Sequence, residues 1–90
     1  MSTRRPLNYA ILKYFTTVEE ANVDEVMDAL RDRYANYVTF KKPKMVEALM
    51  TAEKNGLIEE SRVDLDANGD VRVFYRASDE QKQTINSYIV

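Results

Sequence analysis

The sequence predicts an α+β fold, mainly helical: a three-helix bundle, a two-stranded β-hairpin and a short C-terminal helix. Three observations predict it. Residues 43–76 run as an amphipathic helix straight into Gly56, then Leu57-Ile58, then a hairpin with an Asn68-Gly69 turn. Apolar residues recur at helical spacing in separate segments ahead of that hairpin. Ser78 and Gln81 then stand three apart, as a capping box requires, before a last apolar stripe.

Taken in order, Pro6 suits the start of a first helix over 6–16, because its missing N–H falls where no helical bond is needed. Leu7, Ala10, Ile11, Tyr14 and Phe15 form its apolar stripe. Thr16 to Asn22 reads as a connector, with a short extended piece at Ala21 to Val23. Asn22 and Glu25 make a capping box for a second helix over 23–35. Val26, Met27, Leu30 and Tyr34 point inward from it, and Asp24, Asp28, Arg31 and Asp32 outward. Residues 35–42 form the next turn, from which Tyr37, Val38 and Phe40 are expected to pack onto the core.

Lys42 precedes a proline and is pushed away from helical geometry, so the third helix is expected over 43–55, with Gly56 as its left-handed terminator. Met45, Val46, Leu49, Ala52 and Glu53 share one side of its wheel; Lys44, Glu47, Thr51 and Lys54 share the other.

A hairpin follows over 57–77, with two possible registers. A two-residue Asn68-Gly69 turn sets Leu65 opposite Arg72 and Val63 opposite Phe74. A three-residue Ala67-Asn68-Gly69 loop sets Leu65 opposite Val71 and Val63 opposite Val73. The second also pairs Asp64 with Arg72 and Glu60 with Arg76, and is preferred for those charges. Its cost is Asp66 opposite Asp70. The last helix is expected over 79–89.

Ninety residues in this order make one domain, 1–90. With neither histidine nor cysteine, the chain lacks the commonest general base, the usual metal ligands and the most reactive nucleophile. No paired carboxylates and no phosphate-binding glycine loop stand out. An enzyme is therefore not expected, and no cofactor is implied. No apolar run approaches the roughly 18 residues that span a bilayer, so no membrane partner is expected and the cytoplasm is the default location. Asp64, Asp66, Asn68, Gly69 and Asp70 follow the opening of a calcium loop. The twelfth position is Tyr75 rather than glutamate and strands flank the segment, so turn chemistry is the better reading and no metal is assigned.

The run MVEALMTAEKNGLIEE followed by VRVFYRAS resembles the winged helix-turn-helix regulators, with a pattern similar to the MarR and PadR groups. In those, an apolar helix ends in glycine, an aliphatic pair opens the wing, and an aromatic strand leads into a Ser- or Thr-capped last helix. Here the parts are Met45, Leu49 and Ala52, then Gly56-Leu57-Ile58, then Tyr75 and Ser78. The chain is shorter than typical members and its final helix briefer.

The resemblance implies a sequence-specific DNA-binding protein, a transcriptional regulator whose partner is double-stranded DNA. The third helix would enter the major groove and the wing would touch the neighbouring backbone. Carried over, the recognition face is Lys44, Glu47, Thr51 and Lys54, with Lys41 and Lys42 placed to hold a phosphate. Arg4 and Arg5 form a basic N-terminal arm, and Arg62, Arg72 and Arg76 a basic face of the wing around Phe74. Three lysines at a helix start oppose its macrodipole, a cost that an anionic partner would offset. Glu47 can accept from a cytosine amino group but repels phosphate.

Ile85, Tyr88 and Ile89 either fold back on the first helix or join a second copy; a homodimer is favoured. The net charge of −2, the acidic hairpin tip and the acidic second helix suit a different class. In that reading the domain is a winged helix that binds a protein partner and no DNA.

Overall fold

The computed structural model describes residues 5–89. Its elements, in chain order, are α1 (Leu7–Tyr14), α2 (Val23–Tyr34), α3 (Lys42–Lys54), β1 (Glu59–Leu65), β2 (Val71–Arg76) and α4 (Asp79–Tyr88). This is the mainly helical α+β arrangement that the sequence predicts.

One core joins all the elements. Phe15, Val26, Tyr34, Met45 and Leu49 come from the bundle, Ile58 and Tyr75 from the hairpin, and Ile85 and Ile89 from the C-terminal segment. Each of these is under a tenth exposed. Tyr34 lies in it without cost, because its hydroxyl donates to the Arg5 carbonyl at 2.7 Å.

α1 is shorter than expected at both ends. Pro6 is its N-cap, not its first helical residue. Beyond Tyr14, the Thr16 and Thr17 hydroxyls donate to the Lys13 and Tyr14 carbonyls, and this alternative to the helical ladder ends the helix. α2 opens on the expected capping box, with the Asn22 side chain accepting from the Glu25 N–H and the Glu25 side chain accepting from the Asn22 N–H. The extended piece before it reduces to one bridge, Ala21 with Tyr75.

The turn after α2 corrects one expectation. Tyr37 and Phe40 do pack against the core, but Val38 is 83% exposed. The Phe40 N–H donates to the Tyr37 carbonyl, closing a tight turn that cannot aim every side chain the same way.

α3 starts at Lys42, one residue before the proline. Its end is built around Gly56 at φ +76°. The Gly56 N–H donates to the Glu53 carbonyl and the Leu57 N–H to the Ala52 carbonyl, each at 3.0 Å. This pair of bonds needs a left-handed residue at Gly56. A Cβ there would meet nothing within 4 Å, so the cost of a side chain is conformational alone. Gly56→Ala is expected to destabilise by about 1 kcal/mol, lowering the melting temperature by about 5 °C. A thermal melt checks this; an unchanged midpoint would show that the turn does not hold the reversal.

The hairpin takes the preferred register at its tip, with Leu65 opposite Val71, Asp64 opposite Arg72 and Val63 opposite Val73. The juxtaposition of Asp66 and Asp70 is turned to use, since the Asp66 carboxylate accepts from the Asn68 and Asp70 N–H groups. Nearer the base the expected pairing of Glu60 with Arg76 is wrong. A β-bulge at Ser61 shifts the strand by one residue and sets Glu59 opposite Arg76 instead.

α4 opens on its capping box of Ser78 and Gln81. The Gln81 side chain also donates to the Gly56 carbonyl at 3.1 Å, tying the start of α4 to the end of α3. The stripe proposed for pairing two copies is divided. Ile85 is 0% and Ile89 2% exposed, both in the chain's own core, so folding back is what they do. Lys13 fixes this end of the chain, its ammonium donating to the Ile89 carbonyl at 2.9 Å. Tyr88 alone stays exposed, edge-on to Tyr9.

Candidate nucleic-acid interface

The buried stripe of Met45, Leu49 and Ala52 sets which residues α3 can offer outward. At about 100° per residue, Pro43, Glu47, Met50 and Lys54 lie opposite that stripe, and all four are exposed. Lys44 and Thr51 lie on the flank toward α1. With Glu47 they line a groove closed on its far side by Asn8, Tyr9, Leu12 and Tyr88. The expected recognition residues thus divide between the crest of the helix and a groove beside it.

Met50 was missed by reading charges alone. It is 53% exposed on the crest, where its place three residues after the outward-facing Glu47 puts it. An exposed methionine between Glu47 and Lys54 is suited to apolar contact with a thymine methyl group.

The start of α3 carries its charge with little internal neutralisation. Lys41 is an extended N-cap, and no side chain caps the helix. Lys42 meets Asp24 at the start of α2 at 3.2 Å, with both side chains 58% exposed. Lys44 reaches Glu47 only at 3.9 Å. Exposed pairs of this kind are worth well under about 1 kcal/mol, so either lysine can exchange its carboxylate for another anion. Over α3 and its N-cap, four lysines face two glutamates.

The hairpin arginines are engaged quite differently. Arg62 meets Glu20 at 2.8 Å and Asp64 at 3.0 Å, and lies over the Phe74 ring at 3.8 Å. Arg72 forks onto Asp64, with Nε to Oδ1 at 2.8 Å and Nη2 to Oδ2 at 2.9 Å. Arg76 meets Glu59 at 2.6 Å. Together Arg62 and Arg72 cover Phe74, which is 5% exposed although it points away from the core. Their stems and guanidinium planes keep that ring from water.

Glu20 is the anchor that sequence spacing could not reveal, because it lies in the connector before α2. Hydrogen bonds from Arg62 and then Ser61 hold its carboxyl below the ordinary 4.5. The Arg72 fork, helped by Arg62, holds Asp64 below the ordinary 3.8. A carboxyl depressed in the fold stabilises it above the unfolded pKa, and that contribution is lost as pH falls through the folded value. The wing anchor is therefore complete at neutral pH and fails as pH falls below these ordinary values. In Glu20→Gln, urea unfolding followed across the acid range is expected to show a shallower loss of stability. An acid limb identical to that of the unaltered chain would contradict the anchor.

Of the expected N-terminal arm, Arg4 lies outside the described residues. Arg5 begins the described chain and is held to α2 through its carbonyl by Tyr34. No helix among the described residues is long and apolar enough to cross a membrane.

No family model and no curated protein matches the chain. Among solved structures, Bacillus subtilis PadR in complex with operator DNA has the same fold, with a TM-score of 0.73 at 19% identity. The match covers 96% of this chain and 49% of that one, so this chain spans about half the length of its neighbour. The helical order, the glycine-closed α3 and the two-stranded wing, read with this likeness, give the chain a winged-helix fold.

Proposed function

We propose that this domain binds double-stranded DNA as part of a transcriptional regulator, with α3 as the element that enters the major groove. The observation that carries this reading is the charge at the start of α3. Lys41, Lys42 and Lys44 crowd the positive end of a helix whose first N–H groups have no side-chain cap. That arrangement is costly for an isolated domain and favourable beside a phosphate. The solved neighbour, a PadR, is in complex with operator DNA, which supports the same use of the fold here.

Positioning comes from Lys41, Lys42 and Lys44, and base contact from Glu47, Met50, Thr51 and Lys54. Arg62, Arg72 and Arg76 contribute less, since each is held by a carboxylate of the fold. The domain acts by binding and not by catalysis, and it works in the cytoplasm as a homodimer.

A labelled random-sequence duplex, titrated at low salt and followed by fluorescence anisotropy, tests the reading. Binding is expected at low salt, weakening steeply as salt rises. Absence of binding at the lowest salt would overturn it in favour of a protein-interaction module. One observation favours that second reading: between Glu59 and Arg76 the wing sets five carboxylates against three arginines.

A further inference from the structure

The hairpin has an open edge. The Ala21 N–H donates to the Tyr75 carbonyl and the Tyr75 N–H to the Ala21 carbonyl, both at 2.9 Å. The backbone groups of Tyr75 therefore face away from β1. In an antiparallel pair this direction alternates, so Val71 and Val73 also face outward while Arg72 and Phe74 bond to β1. Among the described residues only Ala21 pairs with that edge before the chain turns into α2 at Val23. Among the described residues no backbone group meets the outward N–H and C=O groups of Val71 and Val73.

Natural edges are usually blunted by a bulge, a proline or a lysine. β1 has such a bulge at Ser61, and β2 has none of the three. Beside the open edge lies an apolar strip: Val71 and Leu65 are each 65% exposed and Val63 is 51% exposed.

We propose that the β2 edge pairs with the same edge of a second copy, antiparallel about a two-fold axis at Val71. Charge selects both the occupant and the register. Only registers that set outward-facing residues opposite one another can form the ladder. Centring the pair on Asp70 sets that carboxylate opposite itself, and centring it on Arg72 does the same for two guanidinium groups. Centring it on Val71 sets Asp70 opposite the second copy's Arg72, and does so twice by symmetry. Arg72 can serve both partners, since its fork onto Asp64 uses Nε and Nη2 and leaves Nη1 outside. The ladder is confined to the two Val71 residues, because Gly69, which falls opposite Val73, is a turn residue at φ +84° whose N–H already donates to the Asp66 carbonyl. The contact is short, so the dimer is a weak one that forms with rising concentration. It uses a different element from the lysines of α3 and does not depend on DNA binding.

Sedimentation across a wide concentration range tests the pairing. The unaltered chain is expected to pass from monomer to dimer. Val71→Pro removes an N–H that only the second copy would use, and is expected to abolish the dimer while the domain stays folded by circular dichroism. Asp70→Arg, which opposes like charges twice, is expected to raise the dimer dissociation constant about tenfold or more. The chain has no cysteine, so Val71→Cys carries a single thiol. Its partner across the axis would be about 5.5 Å away between Cα atoms, within disulfide range. Mild oxidation is expected to link Val71→Cys and not Val38→Cys, a control at a still more exposed position. A chain that stays monomeric throughout would overturn the proposal. So would a dimer that survives both Val71→Pro and Asp70→Arg.

Discussion

Phe15→Ala is expected to remove about 3–5 kcal/mol of stability, the loss that follows when a fully buried aromatic ring is truncated. Phe15 is 0% exposed and stands where α1 ends, edge-on to Tyr14 at 5.9 Å between ring centroids. Its ring belongs to the one core that the elements share, so truncation leaves a cavity inside it. A domain of this size has about 5–13 kcal/mol in total. The variant is thus expected to lose between about a quarter of its stability and nearly all of it. Urea unfolding should show a much lower midpoint with an unchanged slope. A midpoint within experimental error of the unaltered chain would mean that the core is not centred there.

The second large effect concerns binding. Lys42→Ala with Lys44→Ala is expected to weaken DNA binding roughly tenfold or more at low salt, and by the same factor for every duplex sequence. Both side chains are exposed, and the pairs they make within the domain, with Asp24 and Glu47, are weak. Stability should therefore change little, which separates loss of contact from loss of fold. Anisotropy titrations on two unrelated duplexes check the prediction. Loss on one duplex alone would assign these lysines to base reading, and no loss on either would move the interface elsewhere.

How far these features could be read in advance depends on how local their causes are. The capping boxes at Asn22 and Ser78, the reversal at Gly56 and the tip register around Val63 and Val73 each arise within a few residues. Periodicity and turn chemistry were enough for them. The bulge at Ser61 was not legible, because the partner met there is distant: Ser61 and Arg62 both bind Glu20, in the connector before α2. The same bulge moves Arg76 from Glu60 to Glu59.

The fate of Ile85 and Ile89 was equally out of reach. An apolar stripe on a final helix looks the same whether it covers its own core or another copy's. On α3, the charges were legible and the groove beside them was not. Lys44 and Thr51 line it only because α1 runs alongside, a relation that spacing within α3 does not contain. The wing arginines show the limit most plainly. Their alternation marked a basic face, whereas the fold spends that charge on Glu20, Asp64 and Glu59 and on covering Phe74.

The most direct test of the α3 assignment is the salt dependence of DNA affinity, measured side by side for the unaltered chain and for Lys42→Ala with Lys44→Ala. Each lost phosphate contact reduces the slope of log affinity against log salt by about 0.9, so the two slopes should differ by about 1.8. Equal slopes for the two proteins would mean that the start of α3 does not hold the DNA backbone.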